Sequence, residues 1–145
     1  TLSKIGLAAA RVGWVRLPAE LCEEVEKARQ PYNLSALAQA VGVLAFTELQ
    51  PTLSAHVDRI RSERARLLAS LAALPRVTVF PSDANFVWVR FAGDADALAA
   101  ALRAGGVAIK SFHSRGPRLA GHLRIAVGTP DENTRLLEGL SVTCR

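Results

Sequence analysis

Between positions 53 and 74 apolar residues recur at three-and-four spacing, at Leu53, Val57, Ile60, Leu67, Leu71 and Leu74. Asp58, Arg59, Arg61, Glu63 and Arg66 take the other faces, so the spacing predicts an amphipathic helix that Pro75 ends. Arg59 and Glu63, four apart, read as an ion pair on a solvated face. The period then changes to two. Val77–Phe80 and Phe86–Phe91 are β-branched and aromatic, and predict strands around a Pro81–Asn85 turn. Asp94–Arg103 reads as an alanine-rich helix closed by Gly105-Gly106. Val107–Phe112 and His122–Val127 are two more strands, joined by a Gly/Pro/Arg loop. Thr129-Pro130-Asp131-Glu132 starts a last helix, with threonine as cap, proline at the first position and acids following. From Val77 onward the order is strand–strand–helix–strand–strand–helix, which predicts an α+β layer with helices packed on a small sheet.

The first fifty residues pattern differently. Ala19–Arg29 predicts a helix entered through Pro18, with Glu20, Glu23 and Glu24 near its positive end. Gln30-Pro31-Tyr32-Asn33 reads as a break, with Asn33 as a helix cap or a residue that reaches a ligand. Leu34–Leu49 is almost wholly apolar or small, so as a helix it should be buried on most sides, and Pro51 should end it. These elements look like the end of another domain.

Composition narrows the classes. The chain has 145 residues, 50% hydrophobic and 21% charged, which excludes a disordered tail or a disulfide-stapled scaffold. With no methionine in the chain, Thr1 is expected to be a trimmed, processed or truncated start. Lys and Arg exceed Asp and Glu by 18 to 13, giving +5. The cations are dispersed and aromatics are 6%, so a nucleic-acid platform is not expected; a site for a small anion is. No apolar run approaches the roughly 18 residues of a membrane span. Cys22 and Cys144 form no framework, so a reducing cytoplasm is expected. His56, His113 and His122 have no metal-ligand spacing, and no metal is expected.

Two places carry candidate chemistry. Lys4 lies between Ser3 and a run of small residues, and the first carboxylate along the chain is Glu20. A lysine kept from water near other cations loses proton affinity and becomes a nucleophile toward an aldehyde. Arg11, with the hydroxyls of Thr1 and Ser3, is the chemistry that grips a phosphate dianion. Together they outline an aldehyde-bearing phosphate, pyridoxal phosphate; the alternative is that Lys4 and Arg11 are ordinary surface residues. Arg124 is centred in the apolar strand His122–Val127, where it either binds a substrate carboxylate or makes a structural ion pair.

At these residues the chain resembles a known family. Thr1-Leu2-Ser3-Lys4-Ile5-Gly6-Leu7-Ala8-Ala9-Ala10-Arg11-Val12-Gly13-Trp14 is similar to the cofactor-lysine segment of fold-type I pyridoxal-phosphate-dependent aminotransferases, closest to the histidinol-phosphate aminotransferases. The stretches 30–35, 82–91 and 123–133 support it in the same order. The resemblance implies an α/β fold: the C-terminal part of a PLP-dependent transferase, with 1–50 ending the large cofactor domain and 51–145 forming a small α+β domain. It implies that Lys4 holds pyridoxal 5′-phosphate as a Schiff base and shuttles a proton, that Thr1, Ser3 and Arg11 bind its phosphate, and that Arg124 holds the substrate's acidic group. Lys110 stands where many members have an arginine that helps receive the substrate's acidic end, and Asn33 lies in a segment that approaches the active site near the dimer interface.

The implied reaction is amino transfer between histidinol phosphate and 2-oxoglutarate or glutamate in histidine biosynthesis, by a cytoplasmic homodimer acting on small amino and oxo acids. The alternatives are a decarboxylase of a phosphorylated amino acid and a non-catalytic binding domain of the same fold. Family members carry a pyridinium-pairing aspartate before the lysine, and no such sequence precedes Lys4 here, so the 145-residue chain by itself is expected to be inactive.

Overall fold

The computed structural model describes residues 1–143; Cys144 lies outside the described residues. The chain divides into two compact units, Thr1–Val57 and Asp58–Arg145.

The first unit opens with two short 3-10 turns, Leu2–Lys4 and Ala8–Ala10. Helix α1, Ala19–Ala28, follows Pro18 and has Glu20 in its first turn and Lys27 in its last, each complementing the helix dipole. Helix α2, Ala36–Phe46, is capped by Ser35, whose hydroxyl accepts from the Ala38 N–H at 3.1 Å. Asn33 is therefore not the cap; its Oδ1 accepts from Arg29 Nη1. The expected burial of α2 on most sides is not met. Only Ala45 in it is buried, while Leu37, Val43 and Phe46 are well exposed. Helix α3 spans Gln50–Ala72, so Pro51 sits in the first turn of a helix rather than ending one. That turn's N–H groups have no intrahelical partner, and proline costs nothing there.

In the second unit four strands form one antiparallel sheet in the order β1-β2-β4-β3. They are β1 Val77–Phe80, β2 Phe86–Phe91, β3 Lys110–Ser111 and β4 His122–Ala126. Helix α4, Ala95–Ala104, follows β2, and helix α5, Pro130–Thr143, follows β4. Alternation sorts the strand residues. Val87, Val89, Phe91, Leu123 and Ile125 are buried and share one core with Leu67 and Leu71 of α3, Leu98 and Leu102 of α4, and Leu136 and Leu140 of α5. Each such side chain contributes about 1.5–3 kcal/mol by leaving water. The helices thus cover one face, as the element order predicts. The third expected strand is shorter than its apolar run: Val107 donates its N–H to Leu102 O, closing α4, and only Lys110 and Ser111 reach the ladder.

The helix starts follow capping chemistry. Asp94 accepts from the N–H groups of Asp96 and Ala97 at the head of α4, and these bonds hold its carboxyl below the ordinary range. At α5, Glu132 accepts from the Thr129 N–H at 2.7 Å while the Thr129 hydroxyl accepts from the Glu132 N–H, a reciprocal box that lowers the Glu132 carboxyl.

Glu63 departs from expectation. It is only 7% exposed, and its partner is Arg66, not Arg59: Arg66 Nη2 lies 2.8 Å from Glu63 Oε2. The same oxygen accepts from Asn133 Nδ2 at 2.8 Å, although Asn133 lies 70 residues further along the chain. Bonds from Arg66 and Asn133 push the Glu63 carboxyl below its usual value, against the opposing effect of burial.

Candidate functional site

The opening segment closes on itself. Leu2 is fully buried, and its N–H donates to Val12 O at 3.1 Å. The Thr1 hydroxyl also reaches Val12 O at 3.2 Å, and lies 3.0 Å from the Ser3 hydroxyl. Arg11 precedes Val12 in a left-handed conformation, φ 56°, which turns the chain back after Ala10. Gly13 completes the closure: a Cβ there would sit 3.5 Å from the Thr1 side chain. The segment therefore brings Thr1 and Ser3 together and binds them to the residue next to Arg11. The two hydroxyls are of the kind that can meet a phosphate, the Thr1 hydroxyl on giving up its bond to Val12 O, and the Arg11 side chain is exposed. Lys4 ends the first turn one residue on from Ser3, and it is exposed rather than kept from water. Asn33 stays with Arg29, and its neighbour Tyr32 is 98% exposed in a left-handed conformation rare for an aromatic residue.

The second cluster lies on the sheet face away from the helices. Lys110 and Arg124 are direct partners across the antiparallel β3–β4 pair, and both are exposed. Like charges placed opposite one another are unfavourable unless an anion joins them. Among the described residues neither has an ion-pair partner, so the structural ion pair considered for Arg124 is not formed there. On its other side Arg124 is paired with Trp88, and its guanidinium lies 5.7 Å from the Phe86 ring centroid.

Around this cation pair runs an aromatic strip that sequence reasoning did not single out. The Trp88 ring lies 4.9 Å from Phe112 and 5.6 Å from His122, and His122 stacks on Phe80 at 5.7 Å. Its Nδ1 is buried without a hydrogen-bond partner among the described residues. Period-two alternation puts Phe86, Trp88 and Arg90 on one face, but the register is what sets Trp88 beside Arg124. Among the described residues no group of three or more His, Cys, Asp or Glu could hold a metal, and no helix is long and apolar enough to cross a membrane.

The chain can be compared with known proteins on this basis. The family model for aminotransferase class I and II matches residues 1–140. Histidinol-phosphate aminotransferase 2 of Bordetella bronchiseptica is 45% identical over 142 residues, which cover 97% of this chain and 39% of that protein. The chain thus spans about two-fifths of the length of the curated relatives it matches. Histidinol-phosphate aminotransferase from Sinorhizobium meliloti, solved in complex with pyridoxal-5′-phosphate, superposes with a TM-score of 0.74 at 24% identity over 100% of this chain and 40% of its own. L-threonine-O-3-phosphate decarboxylase from Porphyromonas gingivalis has the same fold, with a TM-score of 0.79 at 22% identity over 99% of this chain and 45% of its own.

Proposed function

The chain belongs to the aminotransferase class I and II family, and on that premise we propose that the complete protein is a pyridoxal-phosphate-dependent aminotransferase that moves an amino group between histidinol phosphate and 2-oxoglutarate or glutamate. The observation that carries this reading is the 45% identity to a histidinol-phosphate aminotransferase along nearly the whole chain. The decarboxylase reading is supported by a shared fold alone.

The residues present fit the cofactor. Thr1 and Ser3, with hydroxyls 3.0 Å apart on a closed loop, and Arg11 would hold its phosphate. When bound, pyridoxal phosphate supplies an aldehyde for the amino group and a ring that takes up electrons from the amino acid's α-carbon. Lys4 Nζ would be the amine that holds the cofactor in the resting enzyme. With the cofactor and amino acid bound, the freed Lys4 amine would be the base that takes the proton from the α-carbon and the acid that delivers it to the former aldehyde carbon of the cofactor. Arg124 orients the amino acid by its carboxylate, and Lys110, opposite Arg124, adds the charge that receives a second acidic group. Asn33, tied to Arg29, would approach the site near the dimer interface of the complete protein. The resemblance to the family is what supports a cytoplasmic homodimer as its setting.

Incubation of the complete protein with pyridoxal phosphate and borohydride should leave a single adduct that maps to Lys4, and Lys4→Ala should abolish both the adduct and amino transfer. An adduct elsewhere, or transfer surviving in the variant, would overturn the assignment. Carbon dioxide release without amino transfer would favour the decarboxylase.

A further inference from the structure

We propose that Asn133, anchored by Glu63, is a positioning residue that fixes the register of β4 and so the aim of Arg124; this rests on the reading of Arg124 as the carboxylate-binding arginine. The problem it solves is written into β4. Leu123, Ile125 and Val127 are all apolar, with Leu123 and Ile125 buried in the core. A slip of one residue would turn the apolar side chains outward and is excluded by burial. A slip of two residues exchanges one apolar residue for the next, so the pattern itself opposes it weakly. It would nevertheless carry Arg124 about 7 Å along the strand and break its alignment with Lys110 and Trp88.

The strand's exit is where that slip is blocked. Asn133 holds both backbone groups of Gly128: Oδ1 accepts from the Gly128 N–H at 3.0 Å, and Nδ2 donates to Gly128 O at 3.0 Å. The second proton of Nδ2 goes to Glu63 Oε2 at 2.8 Å, so both amide donors are used and the orientation of the side chain is determined. Asn133 is 2% exposed, so its side chain is shielded from water. Arg66 closes the network from α3, donating to Pro130 O at 2.9 Å and to Thr134 Oγ1 at 3.4 Å as well as to Glu63. Two helices, α3 and α5, thus converge on the residues that follow β4. A buried charged network is a costly way to join a helix to a turn, and selecting one register is its best-attested use.

The test is a double-mutant cycle in the complete holoenzyme, using Asn133→Ala, Arg124→Gln and the pair, with KM for 2-oxoglutarate and kcat measured separately and cofactor content checked by absorbance. Arg124→Gln should raise KM at least tenfold. Asn133→Ala should raise it about fivefold or more with a smaller change in kcat, and should add less than twofold in the Arg124→Gln background. A merely structural Asn133 would lower the melting temperature while leaving KM unchanged, or would multiply its effect with that of Arg124→Gln; either result overturns the inference. If Arg124→Gln itself leaves KM unchanged, the carboxylate assignment is what fails. Asn133→Asp, which retains the acceptor for Gly128 N–H and loses both donors, replaces Asn133→Ala if that variant does not fold. Failure of both to give folded holoenzyme would make the network a condition of folding and overturn its positioning role.

Discussion

Glu63→Gln isolates the charge in the α3–α5 network while keeping its shape. The glutamine carbonyl can still accept from Asn133 Nδ2, but the charge-assisted bond with Arg66 is lost. Hydrogen bonds to charged groups contribute about 1.5–3 kcal/mol. The Arg66 side chain is 37% exposed and its charge is partly screened by water, so the lower part of that range applies. The expected destabilisation at pH 7 is about 1–2 kcal/mol. Because the folded-state carboxyl is depressed, its contribution is present above the unfolded-state value of about 4.3 and is lost as pH falls through the folded-state value. The difference between wild type and Glu63→Gln should therefore be constant from pH 7 to about 5 and shrink toward zero below about 4. Asp94 and Glu132, also depressed, are common to both proteins and cancel in the difference. Urea unfolding read by Trp88 fluorescence in a Trp14→Phe background measures this unit at each pH. A difference that persists undiminished well below pH 4, or one that is absent at pH 7, would refute the reasoning.

Three substitutions test the packing. Gly121→Ala should be severe, since Gly121 has φ +79° and a Cβ there would lie 2.4 Å from Phe91 O. The left-handed conformation costs about 1–2 kcal/mol and disturbing the Phe91 N–H to Gly121 O bond about 1 more; a loss below about 1 kcal/mol in urea unfolding would contradict the geometry. Leu71→Ala, at a fully buried core position, should cost about 2–5 kcal/mol, whereas Val142→Ala, 74% exposed on α5, should change stability by less than about 0.5 kcal/mol in the same assay.

Much of the second unit was legible because its signals are local. The bounds of β1 and β2 follow from period two, and the starts of α4 and α5 from Asp94 and from Thr129-Pro130. What escaped depends on residues far apart in sequence. Spacing assigned Glu63 to a solvated face with Arg59, and only the fold brings Asn133 to it. Arg124 stood out as a charge in an apolar strand, but that Lys110 faces it follows from register, which alternation alone leaves open. Asn33 and Ser35 are both cap-forming residues two positions apart, and the three-residue reach to the Ala38 N–H selects Ser35.

The two candidate clusters also differ in what supports them. Arg124 and Lys110 stand on a sheet backed by a core in which Leu67, Leu71 and Val87 are fully buried, and the register of β4 is pinned by the Asn133 bonds. The backbone that carries Arg124 is thus fixed in place, and a carboxylate would have only the exposed side chain itself to order. In the first unit, among the described residues, only Leu2 and Ala45 are buried apolar side chains. The Lys4 loop relies on a few hydrogen bonds to Val12 and on one buried leucine. Local stability scales with buried apolar contact, so this loop belongs to the part of the chain that opens most easily. A phosphate bridging Thr1, Ser3 and Arg11 would supply the missing cross-link, and order at Lys4 would then follow from cofactor binding rather than precede it.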